Sequence, residues 1–337
     1  MSETIPPVPT GFIPPTDSDT AISPQQTPQS TAPQPPEKII HGGLRWLLMI
    51  VLVCLGGYLG IQILATVIFM LVTFIARIKL SQNMLIEYAL LLAQLTTVAV
   101  GLPLYRYLRL INSRRPIVFK DKKVCLDSVL ARKDWQGSVG KKIIDVVLII
   151  IIGLALQLVI SAALTLIEPF IPKLMGEYSE LMEQAFDTNW PSIIALVVMA
   201  PISEEIFFRG VALEYARRST TKLWLVVVAQ ALAFGIAHGN LVQGTYAFVV
   251  GSVLGFICLR VGDLPTSMIG HFAVNASSFF VGYFFTPALR LGEKYLGGGE
   301  SGLVLVLLVF IAVGMLSYRV LIKRSAQDQQ TPFKLAL

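Results

Sequence analysis

The string Pro201-Ile202-Ser203-Glu204-Glu205-Ile206-Phe207-Phe208-Arg209-Gly210 sets three formal charges inside an otherwise apolar stretch that runs from about 191 to 214. On insertion scales a charge at the centre of a membrane-spanning helix costs about 2.5 to 3.5 kcal/mol, so such groups face a protein interior or a wet cavity. Two further apolar stretches each carry one ionisable side chain, His238 in one and His271 in the other. These five residues, Glu204, Glu205, Arg209, His238 and His271, form the candidate functional site.

Composition supports the membrane reading. Of the 337 residues 54% are hydrophobic and only 14% charged, with a mean hydropathy of +0.69, which a soluble domain rarely reaches. A hydrocarbon core of about 30 Å needs about 20 apolar helical residues. Eight candidate spans meet or approach that length, at about 44–76, 84–108, 143–168, 191–214, 222–238, 243–260, 265–286 and 301–322. The expected fold is all-α, a polytopic transmembrane helical bundle of about eight spans. The first stretch is too long for a perpendicular crossing and is expected to tilt or to extend beyond the bilayer. The fifth and sixth are short, with Gly239, Asn240 and Gly244 between them.

Three regions follow from the composition: a tail at 1–37, a bundle at 38–325 and a short C-terminal tail at 326–337. The first holds ten of the nineteen prolines, many Gln, Ser and Thr, and no Lys or Arg before Lys38. It cannot bury enough apolar surface to offset its ordering entropy, so disorder is expected. A Pro-rich ligand for a partner module is the sharper alternative. No basic run precedes an apolar run at the extreme N-terminus, so a cleaved signal peptide is not expected.

Lys and Arg concentrate in cytoplasmic loops. The connection 105–142 carries eleven of them against three aspartates, whereas the next connection carries Glu168, Glu177, Glu180, Glu183 and Asp187 against Lys173 alone. The basic loop is therefore assigned to the cytoplasm, and eight spans leave both termini there. The formal charge of +6 then reflects topology and contact with anionic lipid headgroups. A nucleic-acid partner is not expected, because the basic residues flank apolar spans and form no separate domain. Cys54, Cys125 and Cys258 lack metal-ligand spacing and read as small packing residues.

Adjacent carboxylates on a helix point about 100° apart and cannot share a face. Glu205 and Arg209, at i and i+4 with the acid N-terminal, are placed for an ion pair. Glu204 is then the acid without a sequence-local partner, the natural general base. Pro201 cannot donate to the Val197 carbonyl, which frees that oxygen to bind water. Phe234 and His238 lie one helical turn apart, as do His271 and Asn275. An imidazole with a carboxamide one turn away suits the holding of a water or a developing oxyanion.

Glu204-Glu205-x-x-x-Arg209, Phe234-x-x-x-His238 and His271-x-x-x-Asn275, in this order on three spans, resemble the motifs of the CPBP family, the type II CAAX prenyl endopeptidases and their Abi-like bacterial relatives. The resemblance covers about residues 190–286. It implies an intramembrane endopeptidase in which Glu204 is the general base, His238 assists it or orients the water, and His271 and Asn275 stabilise the oxyanion. Glu205 and Arg209 would be the structural pair. The family is commonly labelled metalloprotease, and Glu204, His238 and His271 form a set that would leave zinc an open position. The same groups could activate water directly, and no His-Glu-x-x-His occurs. The implied partners are a lipidated or membrane-bound peptide or protein, of which a CAAX-type prenylated chain is one case, together with membrane lipids. Two other classes compete: a noncatalytic scaffold or bacteriocin self-immunity protein, and an ion-coupled transporter.

On these boundaries Glu204 lies about 15 Å from the cytoplasmic end of its span and His271 about 9 Å, but His238 about 24 Å. The boundary of the fifth span is the one expected to move.

Overall fold

The computed structural model describes residues 39–114, 117–119, 122–124, 135, 137–185 and 190–327. The Pro-rich tail at 1–37, nearly all of the C-terminal tail and Cys125 lie outside the described residues. Nearly all of the remainder is helical, and seven helices are long and apolar enough to cross a membrane. They are α1 (Arg45–Ile75), α2 (Gln82–Asn112), α3 (Val139–Phe170), α5 (Trp190–Ser219), α7 (Leu241–Gly262), α8 (Leu264–Tyr295) and α9 (Gly299–Ala326). Between α5 and α7 stands α6 (Leu223–Ala237), apolar but only 15 residues long, or about 22 Å at 1.5 Å per residue. Each expected span thus coincides with a helix, and the fifth is too short for a full crossing.

Two elements were not anticipated. The acidic connection after α3 contains an amphipathic helix, α4 (Pro172–Ala185). A three-stranded sheet forms from β1 (Ile40–His41), β2 (Ile117–Phe119) and β3 (Lys122–Val124), with β1 parallel and β3 antiparallel to β2. Gly43 donates its backbone N–H to the Arg218 carbonyl at 2.9 Å, which ties this sheet to the end of α5.

In the bundle α3 packs along α9 and α8, α6 along α7, and α1 along α2. Lipid tails are as apolar as leucine, so close packing of small residues must hold such helices together. A Cβ on Gly235 of α6 would stand 2.6 Å from the Gly244 carbonyl oxygen of α7, and one on Gly153 of α3 would stand 2.8 Å from the Gly270 carbonyl oxygen of α8. Both crossings lie beside a histidine of the candidate site. Cys54 and Cys258 are buried in α1 and α7, in keeping with the packing reading.

Glu204 is placed by α5, which runs on to Ser219 and not to 214 as the sequence suggested. Glu204 therefore lies fifteen residues before the end of α5, and His238 fifteen residues after the start of α6 at Leu223. Both sit about 22 Å from the turn joining the two helices. The depth mismatch came from the fourth boundary, and the fifth stands.

Replacing Gly235 with alanine drives the new methyl group against backbone, which cannot move aside as a flexible side chain could. We expect a net loss of about 1–3 kcal/mol, read as a lower thermal midpoint in detergent. An unchanged midpoint would show that α6 and α7 can separate without cost.

Candidate active site

The local chain path of α5 is irregular. Two π-helical stretches, Ile194–Met199 and Glu205–Ala212, flank the short α-helical turn Ala200–Glu204. In the first of them Ala200 donates its N–H to the Ala195 carbonyl, the i to i−5 register of a π turn. In that register the carbonyl that Pro201 fails to serve is Leu196, one residue before the Val197 expected from α-helical spacing. Asn275 of α8 supplies the missing donor, with Nδ2 2.9 Å from the Leu196 oxygen. A side chain thus serves the orphan, and one amide N–H of Asn275 is spent on it.

The two acids separate as their spacing requires. Glu205 is fully buried, and its Oε1 stands 2.9 Å from Arg209 Nη1 as an ion pair and accepts from His271 Nδ1 at 2.8 Å. The sequence foresaw the ion pair and missed the hydrogen bond. Glu204 keeps 14% of its side chain exposed, and its Oε2 lies 3.7 Å from His271 Nε2. The His271 ring therefore stands between the two carboxylates with one nitrogen toward each. Because Nδ1 donates to the ion-paired acid, Nε2 of the neutral ring is left as the nitrogen facing Glu204.

His238 ends α6, and its Nδ1 lies 2.8 Å from the Phe234 carbonyl. The last carbonyls of a helix have no intrahelical donor, so Nδ1 carries the proton and Nε2 is the acceptor in the neutral ring. Phe234 organises this corner. Its face receives the Arg209 guanidinium at 4.3 Å, and both histidine rings meet it edge to face, His238 at 4.7 Å and His271 at 5.7 Å. Such contacts are each worth about 0.5–1.5 kcal/mol beyond burial.

Glu204, His238, His271 and Asn275 line one cavity of about 590 Å³, while Glu205 and Arg209 stay behind its wall. The largely apolar lining carries further polar groups, among them Gln157, Gln243 and Glu183 of α4. Tyr178 of α4 and Tyr246 of α7 meet there through their hydroxyls at 3.2 Å, near Gln157 and Gln243. The structure thus brings all six candidate residues into one neighbourhood and adds a wall that no motif announced. Another missed contact is Tyr58 of α1, whose hydroxyl lies 3.4 Å from Glu204 Oε1. The same rule that singled out His271 and Asn275 could have found it, since Tyr58 and Gln62 are an i, i+4 polar pair in an apolar run.

Among the described residues no three His, Cys, Asp or Glu side chains come together as a set that could hold a metal ion. Glu204, His238 and His271 share the cavity without converging in that way, so the zinc set left open by the sequence does not fit this arrangement.

Residues 186–277 match the family model described as type II CAAX prenyl endopeptidase, Rce1-like. The CPBP resemblance carried by the three motifs is borne out over these residues, and at the level of the family it points to an intramembrane protease. An uncharacterised 24.3 kDa protein of Escherichia coli is 28% identical over 123 residues, covering 34% of this chain and 52% of that protein. The chain thus spans about half the length of the curated relative it matches. No solved structure matches the chain significantly.

The unequal burial of the two acids gives an unequal response to neutralisation. Glu205→Gln leaves the Arg209 charge buried without its carboxylate, a change that costs about 3–5 kcal/mol in comparable buried pairs. Glu204→Gln strands no buried arginine and should leave the thermal midpoint within a degree or two of wild type. Equal loss of folded protein for both variants would overturn this division.

Proposed function

We propose that the chain is an intramembrane endopeptidase that hydrolyses a peptide bond of a membrane-bound protein through a water activated by Glu204. The observation that carries this reading is the shared cavity, in which one partly exposed carboxylate faces an imidazole whose other nitrogen is held by a buried ion pair. Its volume falls in the range of sites that take small ligands or a short peptide segment.

In this mechanism a water sits between Glu204 and the bare Nε2 of His238. Glu204 removes one of its protons as the oxygen attacks the scissile carbonyl carbon. His271 Nε2 can receive that proton from Glu204, becoming an imidazolium paired with Glu205. Its new N–H, with the second amide N–H of Asn275, then serves the oxyanion. Collapse of the tetrahedral intermediate breaks the carbon–nitrogen bond, and the proton passes to the leaving amine. The products are a carboxylic acid and an amine, so water supplies every atom added. No step is routed through a metal.

For substrate we favour a lipidated, CAAX-type prenylated chain, because the implied family acts on such peptides and much of the cavity lining is apolar, Ile160, Leu164, Leu196, Val197 and Val250 among it. In the same reading the Lys- and Arg-rich connection and both termini face the cytoplasm.

The test is cleavage of a quenched peptide by the purified full chain, in prenylated and unprenylated form. Wild type should cleave, Glu204→Gln should lose a factor on the order of 10² to 10⁴, and a chelator should have no effect. Undiminished cleavage by Glu204→Gln would sink the site assignment. Loss of cleavage with chelator would replace direct water activation by metal chemistry, and equal rates on the two peptides would remove the prenyl preference.

A further inference from the structure

Glu204 belongs to α5, within the region matched by the family model, but one of its two oxygens is addressed from outside that region. Oε2 turns to His271 and the cavity, while Oε1 lies 3.4 Å from the Tyr58 hydroxyl of α1, 146 residues earlier in the chain. The tyrosine ring is nearly fully buried and held edge to face by Phe207 at 5.4 Å and Phe208 at 5.1 Å. Both phenylalanines lie in the π-helical stretch that begins at Glu205, so one segment of α5 carries the acid and clamps the ring that addresses it. A second polar layer lies behind. Gln62, one turn beyond Tyr58, and Ser203, next to Glu204, both neighbour the hydroxyl, and Ser203 donates to Gln94 of α2.

A glutamate has three side-chain torsions and, once partly exposed to a cavity, little reason to keep one rotamer unless something holds it. Oε2 has only a 3.7 Å approach to His271, which is longer than a hydrogen bond. Tyr58 is the group within reach of the other oxygen. We propose that Tyr58 is a positioning residue for Glu204: its O–H holds Oε1 and so turns Oε2 toward the water and His271. The inference rests on the protease reading and extends it, because it makes the first span part of the active-site architecture although the family model starts at residue 186. Tyr58 touches no reacting atom in this arrangement.

Tyr58→Phe removes the hydroxyl and keeps the ring between Phe207 and Phe208. In the full chain in lipid nanodiscs we expect kcat to fall about tenfold, the effect of one hydrogen bond to a charged group, with KM and the thermal midpoint unchanged. A merely structural role would lower the midpoint and leave the kcat of the folded fraction alone, and that result would overturn the proposal. A second measurement does not depend on turnover. The infrared carboxyl band of Glu204, identified by its disappearance in Glu204→Gln, should shift in Tyr58→Phe because its hydrogen-bond donor is lost. An unmoved band overturns the proposal whatever the cleavage assay gives. Failure of wild type to cleave any peptide counts against the protease reading alone, and the band still decides whether Tyr58 holds Glu204.

Discussion

The Glu205 carboxylate is the centre on which the site depends. A bare charge cannot stay in the interior of an apolar bundle, so Glu205 and Arg209 are committed to each other. Their 2.9 Å ion pair leaves Oε1 able to accept a donor, and His271 takes that place at 2.8 Å. This one oxygen therefore fixes the tautomer of a histidine on α8 from a position on α5. Arg209 in turn lies on the Phe234 ring, which stands against both histidines. Cost of burial and preparation for chemistry are here the same interaction, because the pair that makes the charges tolerable also orients the imidazole facing Glu204.

Backbone irregularity supplies the second constraint. An uninterrupted α-helix through Pro201 would orphan the Val197 carbonyl. The π register moves the orphan to Leu196, where Asn275 reaches it. That bond pins α8 to α5 one helical turn from His271, so α8 is anchored on α5 at a charged group and at a backbone carbonyl. Wide turns of this kind recur at functional sites because they re-aim side chains without ending a helix.

Much of this was legible in the sequence. The eight apolar runs located the helices, and ionisable residues within them located the site, since hydrocarbon makes each such residue costly. Most of what escaped had no comparable signal. The extension of α5 from 214 to 219 passes through Arg217 and Arg218, which hydropathy reads as a loop but which pair with Glu214 and Asn112 and are buried. The helix α4 is amphipathic and too polar to register as a span. The Asn275 bond depends on a backbone register that no residue spells out. Tyr58 escaped for another reason: with Gln62 it forms the same i, i+4 polar pair as His271 and Asn275, but both groups are neutral and so stand out less in an apolar helix than a charge does.

The shortness of α6 follows from the same economy. A helix that ends inside the bilayer exposes carbonyls that water cannot reach, and such ends are tolerated only inside protein or along a cavity. At this end Phe234 receives the His238 ring, Gly239 turns the chain with φ at +67° and donates to Ile236, and Asn240 caps the start of α7 by accepting from Gln243. Every one of these devices is needed because the helix stops early. A full-length α6 would place residue 238 in mid-helix, where the Phe234 carbonyl accepts from the residue 238 backbone and the ring loses its partner. The Nδ1 bond, and with it the acceptor nitrogen facing the cavity, exists because the helix ends at His238.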